Sequence, residues 1–225
     1  MTKIFAFDIE TRSLGPNSFE SAVELLSLQL CSGSGKNGLE KLEIEFFCKD
    51  GGKGKDLRAA AARLEVLCAD KDALLVGYNV SQLDLHAVKK FLGLEIPAKK
   101  VYDILESDAV KKVKELYGYT YLRLERLLNE YGMEADYKQL MQKRANELMR
   151  DPRWVEEITS EFKREIMSDK NVLRRIAIGH AVSRAYDEFV ASGMDVKSDF
   201  YKYAVGDAVA EYEFYVRHCG GKNKA

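Results

Sequence analysis

Two acidic side chains follow the first apolar run of the chain, in the segment Phe7-Asp8-Ile9-Glu10-Thr11. Residues two apart on a β-strand point to the same side, so Asp8 and Glu10 would present both carboxylates to one face of a sheet. Two carboxylates held together repel each other unless a cation lies between them. Alone, the pair is better explained by solvated acids at a strand end, although its place at the end of an otherwise apolar strand raises the weight of a cation site.

Two further patterns place acids beside polar side chains. Asn79 ends a short apolar run, and Asp84 lies about one turn into a helix predicted over residues 81–92, from which its carboxylate can reach the sheet edge. Tyr203 and Asp207 stand four residues apart, the spacing that shares one face of a helix. Taken alone, the first pattern is better explained by an asparagine turn and an acid favoured at a helix N-terminus, and the second by a packed tyrosine near a surface acid.

The elements that must position these side chains are predicted from apolar periodicity and turn residues. Short apolar or alternating runs predict strands, and apolar residues at helical spacing predict helices. Three early strands, the second and third forming a hairpin, favour an α/β fold with a mixed sheet over a purely parallel sheet. The predicted strands cover residues 3–9, 25–31, 42–48, 74–78 and 101–105, and the predicted helices cover residues 56–69, 81–92, 121–131 and 200–218.

Residues 136–200 form a long segment of helix-forming residues, with charged residues between the apolar positions. The segment is too long for a connecting loop and too regular for disorder. We interpret it as a helical insertion that acts as a lid, a substrate clamp or an oligomer contact.

Composition narrows the class of protein. The chain of 225 residues is long enough for one sizeable domain, and its 46% hydrophobic and 32% charged residues are typical of a globular protein. The formal net charge of -1 gives no global positive field, so contact with nucleic acid would need a local basic face. No apolar run approaches the roughly 18 residues of a membrane span. Scattered cysteines and histidines predict neither a disulfide framework nor a zinc site, and a cytoplasmic location is expected.

Taken together, the order and spacing of the three acidic patterns resemble the DEDD superfamily of 3′→5′ exonucleases. The Asp-x-Glu motif of the family resembles Asp8-Ile9-Glu10. Its Asn-to-Asp motif resembles Asn79 and Asp84, and its Tyr-x-x-x-Asp motif resembles Tyr203 and Asp207.

The tyrosine branch of the superfamily is indicated because the other branch needs a histidine where this chain has Lys202. Within that branch, the proofreading domain of family-B DNA polymerases has similar Phe-Asp-Ile-Glu-Thr and Asn-x-x-x-Phe-Asp motifs. This chain departs from the second motif at Leu83, where the family usually has an aromatic residue that stacks near the terminal base.

The resemblance covers residues 3 to about 135 and 200–218, and it implies a ribonuclease-H-like mixed sheet flanked by helices. The expected organisation is a single exonuclease domain over residues 1–225, a free-standing enzyme of archaeal type. The insertion at 136–200 would then precede the last catalytic helix.

The resemblance also implies the cofactor and the site residues. Two divalent ions, Mg²⁺ or Mn²⁺, would be held by carboxylates, and hard oxygen ligands suit both ions. Tyr203 would orient the attacking water. The implied metal ligands are Asp8, Glu10, Asp84 and Asp207, and the implied substrate-binding residues are Thr11, Leu14, Asn79 and Leu83.

The expected substrate is single-stranded nucleic acid, with DNA preferred over RNA. Lysines at 111, 112 and 114 precede tyrosines at 117, 119 and 121, and this mixture is predicted to line the path of the strand. Two alternatives remain open from the sequence: an exoribonuclease resembling ribonuclease D, and a non-catalytic nucleic-acid-binding protein. A homo-oligomer is a further expectation, since enclosing the strand would raise processivity.

Overall fold

The structure is a computed structural model of the chain that describes residues 2–16, 20–35, 38–52, 54–169 and 171–220. The described residues divide into two compact units. The first unit comprises those of 1–9, 27–135 and 204–225, and the second comprises those of 10–26 and 136–203. Within these ranges, no helix has the length and apolar character needed to cross a membrane. The single-domain organisation of residues 1–225 stays a prediction.

One five-stranded sheet organises the first unit. Its strands are β1 (Lys3–Ser13), β2 (Ala22–Ser34), β3 (Lys41–Cys48), β4 (Ala73–Gly77) and β5 (Val101–Asp103). They lie in the order β3-β2-β1-β4-β5, with β2 and β3 antiparallel and β4 parallel to both β1 and β5. The predicted hairpin and mixed sheet are therefore confirmed.

Helices account for most of the remaining residues. In chain order they are α1 (Leu57–Ala69), α2 (Asp84–Leu92), α3 (Asp108–Tyr117), α4 (Leu124–Glu130), α5 (Tyr137–Leu148), α6 (Pro152–Glu161), α7 (Lys163–Ser168), α8 (Val172–Ala191) and α9 (Asp199–Phe214). The α/β class with a mixed sheet flanked by helices is confirmed, and it is consistent with a ribonuclease-H-like fold.

The core of the first unit lies between the sheet and helix α1. Alternation along β1 buries Phe5 and Phe7 on one face, and helical spacing in α1 adds Ala60, Leu64 and Leu67 to the same cluster. Burial of such side chains stabilises a domain by roughly 1.5–3 kcal/mol each. The cluster holds β1 and β4 side by side, and both strands lead into predicted site residues.

Two helix predictions need correction. Helix α3 is not predicted by the sequence analysis, although Ser107 caps its start by accepting the Val110 amide at 3.2 Å and Gly118 ends it with φ +68°. Helix α2 was predicted from residue 81 but begins at Asp84, because Asn79 adopts a left-handed φ of +59° and residues 80–83 form turns. Asp84 is therefore the first helical residue and does not lie one turn inside.

The second unit confirms the helical nature of residues 136–200. Helix α5 packs on α8 and buries Met141, Ala145 and Leu148 along one face. The aromatic rings of Tyr186 and Phe200 meet edge to face at a centroid distance of 5.0 Å. The role of this segment as a lid, a clamp or an oligomer contact stays a prediction.

Candidate metal centre

Strand β1 places Asp8 and Glu10 as the two-residue period predicts, and helix α9 supplies a third acid. One carboxylate oxygen from each of Asp8, Glu10 and Asp207 lies within 4.8 Å of the other two. Glu10 and Asp207 are buried, and Asp8 is half-buried. Metal–oxygen distances of about 2.0–2.6 Å put two ligand oxygens at most about 4–5 Å apart. The three acids therefore fit a hard divalent cation.

Asp84, the fourth predicted acid, interacts with Ile9 on β1 and with Asp207 on α9. It is 7% exposed, and burial raises its pKa well above the ordinary range of an aspartate. The negative charges of Asp103 and Asp207 raise the pKa further, while hydrogen bonds from the backbone of Asp84 itself and of Ile9 lower it. Since Ile9 lies between Asp8 and Glu10, the structure brings all four predicted acids together.

Close packing of β4 on β1 explains how Asp84 reaches this place. A Cβ atom at Gly77, the last residue of β4, would lie 3.0 Å from the carbonyl oxygen of Phe7 and 3.1 Å from the side chain of Val80. Such contacts are tighter than nearly all real Cβ contacts. Glycine at this position lets the chain leave β4 directly beside the residue that precedes Asp8.

Tyr203 lies one helical turn before Asp207 on α9, as the spacing predicts. It is half-buried, and the ammonium group of Lys138 on α5 lies 5.2 Å from the centroid of its ring. A cation at this distance is attracted by the face of the ring. The helical segment thus supplies a side chain that contacts Tyr203, which sequence reasoning did not find because no motif links positions 138 and 203.

The predicted substrate-binding residues fall into two groups. Asn79 is buried, and its side-chain oxygen Oδ1 has no hydrogen-bond partner among the described residues. Thr11 is half-buried on β1. Leu14 and Leu83 are 42% and 40% exposed, so both present apolar surface that a ligand could cover. Their substrate contacts stay predictions.

Two buried or partly buried acids near Asp84 escaped the sequence analysis. Asp103 ends β5, paired in register with Gly77 at the end of β4, and Glu211 lies one turn after Asp207 on α9. The signal for Asp103 was present, because the carboxyl ends of neighbouring parallel strands meet at the same sheet edge. The signal for Glu211 was its four-residue spacing from Asp207.

Comparisons with known proteins gave matches among solved structures alone. No family model matches the sequence, and no curated protein matches it significantly. E. coli exonuclease I in complex with a 5cy-dT13 oligonucleotide matches with 17% identity and a TM-score of 0.41, over 60% of this chain and 37% of that one. The zinc-bound form of an E. coli exonuclease I complex with single-stranded DNA matches with 15% identity and a TM-score of 0.42, over 60% and 36%.

A third structure, an exonuclease I complex with SSB-Ct, matches with 13% identity and a TM-score of 0.40. That alignment covers 85% of this chain and 44% of the other. The chain thus spans less than half the length of each of these structures. It is similar in fold, at low sequence identity, to part of exonuclease I.

Proposed function

We propose that this chain is a metal-dependent exonuclease that hydrolyses phosphodiester bonds from the 3′ end of single-stranded DNA. The observation that supports it is the meeting of Asp8, Glu10 and Asp207 within 4.8 Å, with Asp84 buried beside Asp207. Gathering and burying carboxylates costs free energy, and divalent cations offset that cost. With divalent cations bound, this group of carboxylates would form a site that stabilises negative charge at phosphorus.

Each of the four acids would have its own role in holding the metal ions. Asp8 would contact both ions, Glu10 and Asp207 would hold the ion beside the attacking water, and Asp84 would support the ion beside the leaving group. Two such ions, when bound, would supply charge stabilisation for both the attacking and the leaving oxygen of an in-line displacement. The hydroxyl of Tyr203, which can donate and accept hydrogen bonds, would orient the attacking water.

The choice of single-stranded DNA rests on the resemblance of residues 7–11 to the proofreading domains of DNA polymerases. The structure adds chemical features that suit a strand end. Leu14 and Leu83 expose apolar side chains that can contact a base, and Asn79 offers a buried amide oxygen that can accept a hydrogen bond from the terminal nucleotide. Thr11 would contribute a hydroxyl.

The proposal is tested with 5′-labelled oligonucleotides of one sequence, prepared as single-stranded DNA, duplex DNA and RNA. With Mn²⁺ or Mg²⁺, we expect single-stranded DNA to give a ladder that shortens one nucleotide at a time from the 3′ end. A chelator should stop the reaction. Products from internal cuts would contradict an exonuclease, and faster loss of RNA would favour the exoribonuclease alternative.

Calorimetric titration with Mn²⁺ separates an enzyme from a protein that only binds nucleic acid. We expect Mn²⁺ to bind the native protein and to bind Asp8→Ala much more weakly, because the variant loses the ligand assigned to both ions. Asp56→Asn is the matched control, since this aspartate caps α1 and accepts the amide of Ala59 at 2.8 Å. Equal Mn²⁺ binding by the native protein and Asp8→Ala would overturn the site assignment.

A further inference from the structure

The loop between β4 and α2, residues 78–83, carries Asn79 and leads directly into Asp84. Its backbone amides are held by acidic side chains. The amide of Tyr78 donates to Oε1 of Glu211 at 3.0 Å. The amides of Asn79 and Ser81 donate to the two oxygens of Asp103, at 2.8 and 3.0 Å. Three amides of one short loop are thus satisfied by two carboxylates.

Asp103 is well suited to hold this conformation. Oδ1 of Asp103 also accepts the amide of Leu105 at 3.0 Å, so one side chain ties the end of β5 to the neighbouring loop. Asn79 has a φ of +59°, a left-handed conformation that asparagine tolerates better than most residues, and the carboxylate of Asp103 holds the amide of Asn79 in that conformation. Hydrogen bonds from amides to a carboxylate are roughly twice as strong as neutral ones.

Glu211 links the same loop to the helix that carries Asp207. It is 3% exposed and lies four residues after Asp207, on the same face of α9. The amide it accepts belongs to Tyr78, whose hydroxyl donates to the carbonyl oxygen of Leu122. The loop is therefore anchored at its start by α9 and at its centre by β5.

We propose that Asp103 and Glu211 are positioning residues, which set the places of Asn79 and Asp84 relative to Asp207; this inference rests on the proposed function. Neither acid is needed as a metal ligand in this arrangement, since hydrogen bonds from the loop occupy the oxygens of Asp103 and Oε1 of Glu211. Partners that orient metal ligands typically matter 10–100-fold to metal affinity or activity, so an effect of about that size is expected.

The experiment combines amide hydrogen exchange with kinetics on Asp103→Asn. An asparagine keeps one acceptor oxygen, so the Asn79 or the Ser81 amide must lose its acceptor. We expect exchange in a peptide covering 78–85 to rise about ten-fold or more, the factor for losing one hydrogen bond to a charged group. We expect kcat on single-stranded DNA to fall ~10–100-fold with KM nearly unchanged.

Non-additivity distinguishes positioning from a general loss of stability. If Asp103 acts through Asp84, Asp103→Asn should cost little further activity in an Asp84→Asn background. Asp56→Asn, which alters a helix cap, should leave kcat and exchange at 78–85 unchanged. Unchanged exchange at 78–85 in Asp103→Asn, or a full additional loss in the double variant, would overturn the proposal.

Glu211→Leu tests the same inference if Asp103→Asn does not fold. It removes the acceptor of the Tyr78 amide, and we expect faster exchange at 78–79 together with lower kcat. Native exchange and kcat in this variant would overturn the role of Glu211. A native protein that degrades no nucleic acid would contradict the proposed function, whereas the exchange measurement reports on the loop contacts without any activity.

Discussion

Acidic side chains are arranged differently around Asp84 and in the ion pairs of the second unit. In the first unit, Asp84 and Asp207 are buried close enough for the charge of Asp207 to add to the effect of burial on the pKa of Asp84. In the second unit, Asp187 lies 2.6 Å from the guanidinium of Arg12, and Arg144 bridges Glu188 and Asp199, both at 2.9 Å. The acids around Asp84 stand beside other acids, whereas each of these ion pairs sets an acid beside an arginine.

The difference indicates that the two groups of acids have different roles. Ion pairs near the surface add at most about 1 kcal/mol each, and those of the second unit connect segments far apart in the chain, such as β1 and α8. An acid whose pKa is raised by burial and by neighbouring charges, as at Asp84, reduces stability at neutral pH and persists where a function requires it. Neutralising one acid should therefore affect activity in the group around Asp84 and stability in these ion pairs.

The largest expected effect comes from a matched pair of substitutions. Asp8→Asn should reduce metal-dependent cleavage of single-stranded DNA at least ~10²-fold, because charge stabilisation at a transferring phosphoryl group is worth that much or more. Asp187→Asn should retain cleavage within about two-fold, since it removes one partner of an exposed ion pair. Cleavage rates from the 5′-labelled assay check both expectations. Equal losses of rate in Asp8→Asn and Asp187→Asn would show that the two groups of acids do not differ in function.

A smaller effect is expected at Tyr203. Tyr203→Phe keeps the ring beside Lys138 but removes the hydroxyl that would orient water, so kcat should fall ~10²-fold, the scale of a misplaced reactant. Tyr201→Phe, two residues earlier on α9, is the control and should stay close to the native rate. A native kcat for Tyr203→Phe would exclude the tyrosine from the reaction.

Local spacing made much of the candidate site predictable. Two-residue alternation places Asp8 and Glu10 together, and four-residue spacing places Tyr203 and Asp207 on one helix face. The mixed sheet followed from the same kind of pattern, since alternating strands near the N-terminus indicate a hairpin. These features depend on neighbours in sequence, which periodicity captures.

Contacts between distant residues could not be predicted in the same way. The start of α2 was placed three residues early because the left-handed Asn79 is held by Asp103, 24 residues away. Asp103 itself had no motif, and only the register of β4 and β5 places it beside the loop. The pairing of Arg12 with Asp187 joins residues 175 positions apart, beyond any periodicity.

Without metal, the carboxyl of Asp84 should lower thermal stability, whereas the ion pair of Asp187 should raise it. Because burial and neighbouring charges raise the pKa of folded Asp84 above the unfolded value of about 3.9, the folded protein loses stability as pH rises through that interval. Asp84→Asn should therefore raise the melting temperature in a chelator at pH 8 by a few degrees, where about 1 kcal/mol corresponds to roughly 2–4 °C.

Two controls test this stability effect: a change of pH and a substitution in the second unit. The gain in Asp84→Asn should vanish as pH falls below the unfolded pKa of about 3.9, where the carboxyl is protonated in both states, and Mn²⁺ should stabilise the native protein more than the variant. Asp187→Asn should instead lower the melting temperature slightly. A lower melting temperature for Asp84→Asn at pH 8 would show that this acid is part of a stabilising network.

The smallest expected effect is on the stability of the second unit. It has the opposite pH dependence, since this stability should be lost as pH falls. Burial lowers the pKa of His180, an effect that the charge of Arg184 reinforces and that a hydrogen bond to the Leu14 backbone and the charges of Glu157 and Glu161 oppose.

Neutral His180 accepts the indole N–H of Trp154 through Nδ1 at 3.3 Å. Because the folded state favours the neutral imidazole, its stability is present above the unfolded pKa of about 6.5 and is lost as pH falls below it, by less than about 1 kcal/mol, the scale of one hydrogen bond. Trp154 is the only tryptophan, so the tryptophan fluorescence comes from this site. We expect a transition below pH 6.5 in the native protein and none in His180→Gln. The same transition in both proteins would show that a group other than His180 takes up the proton.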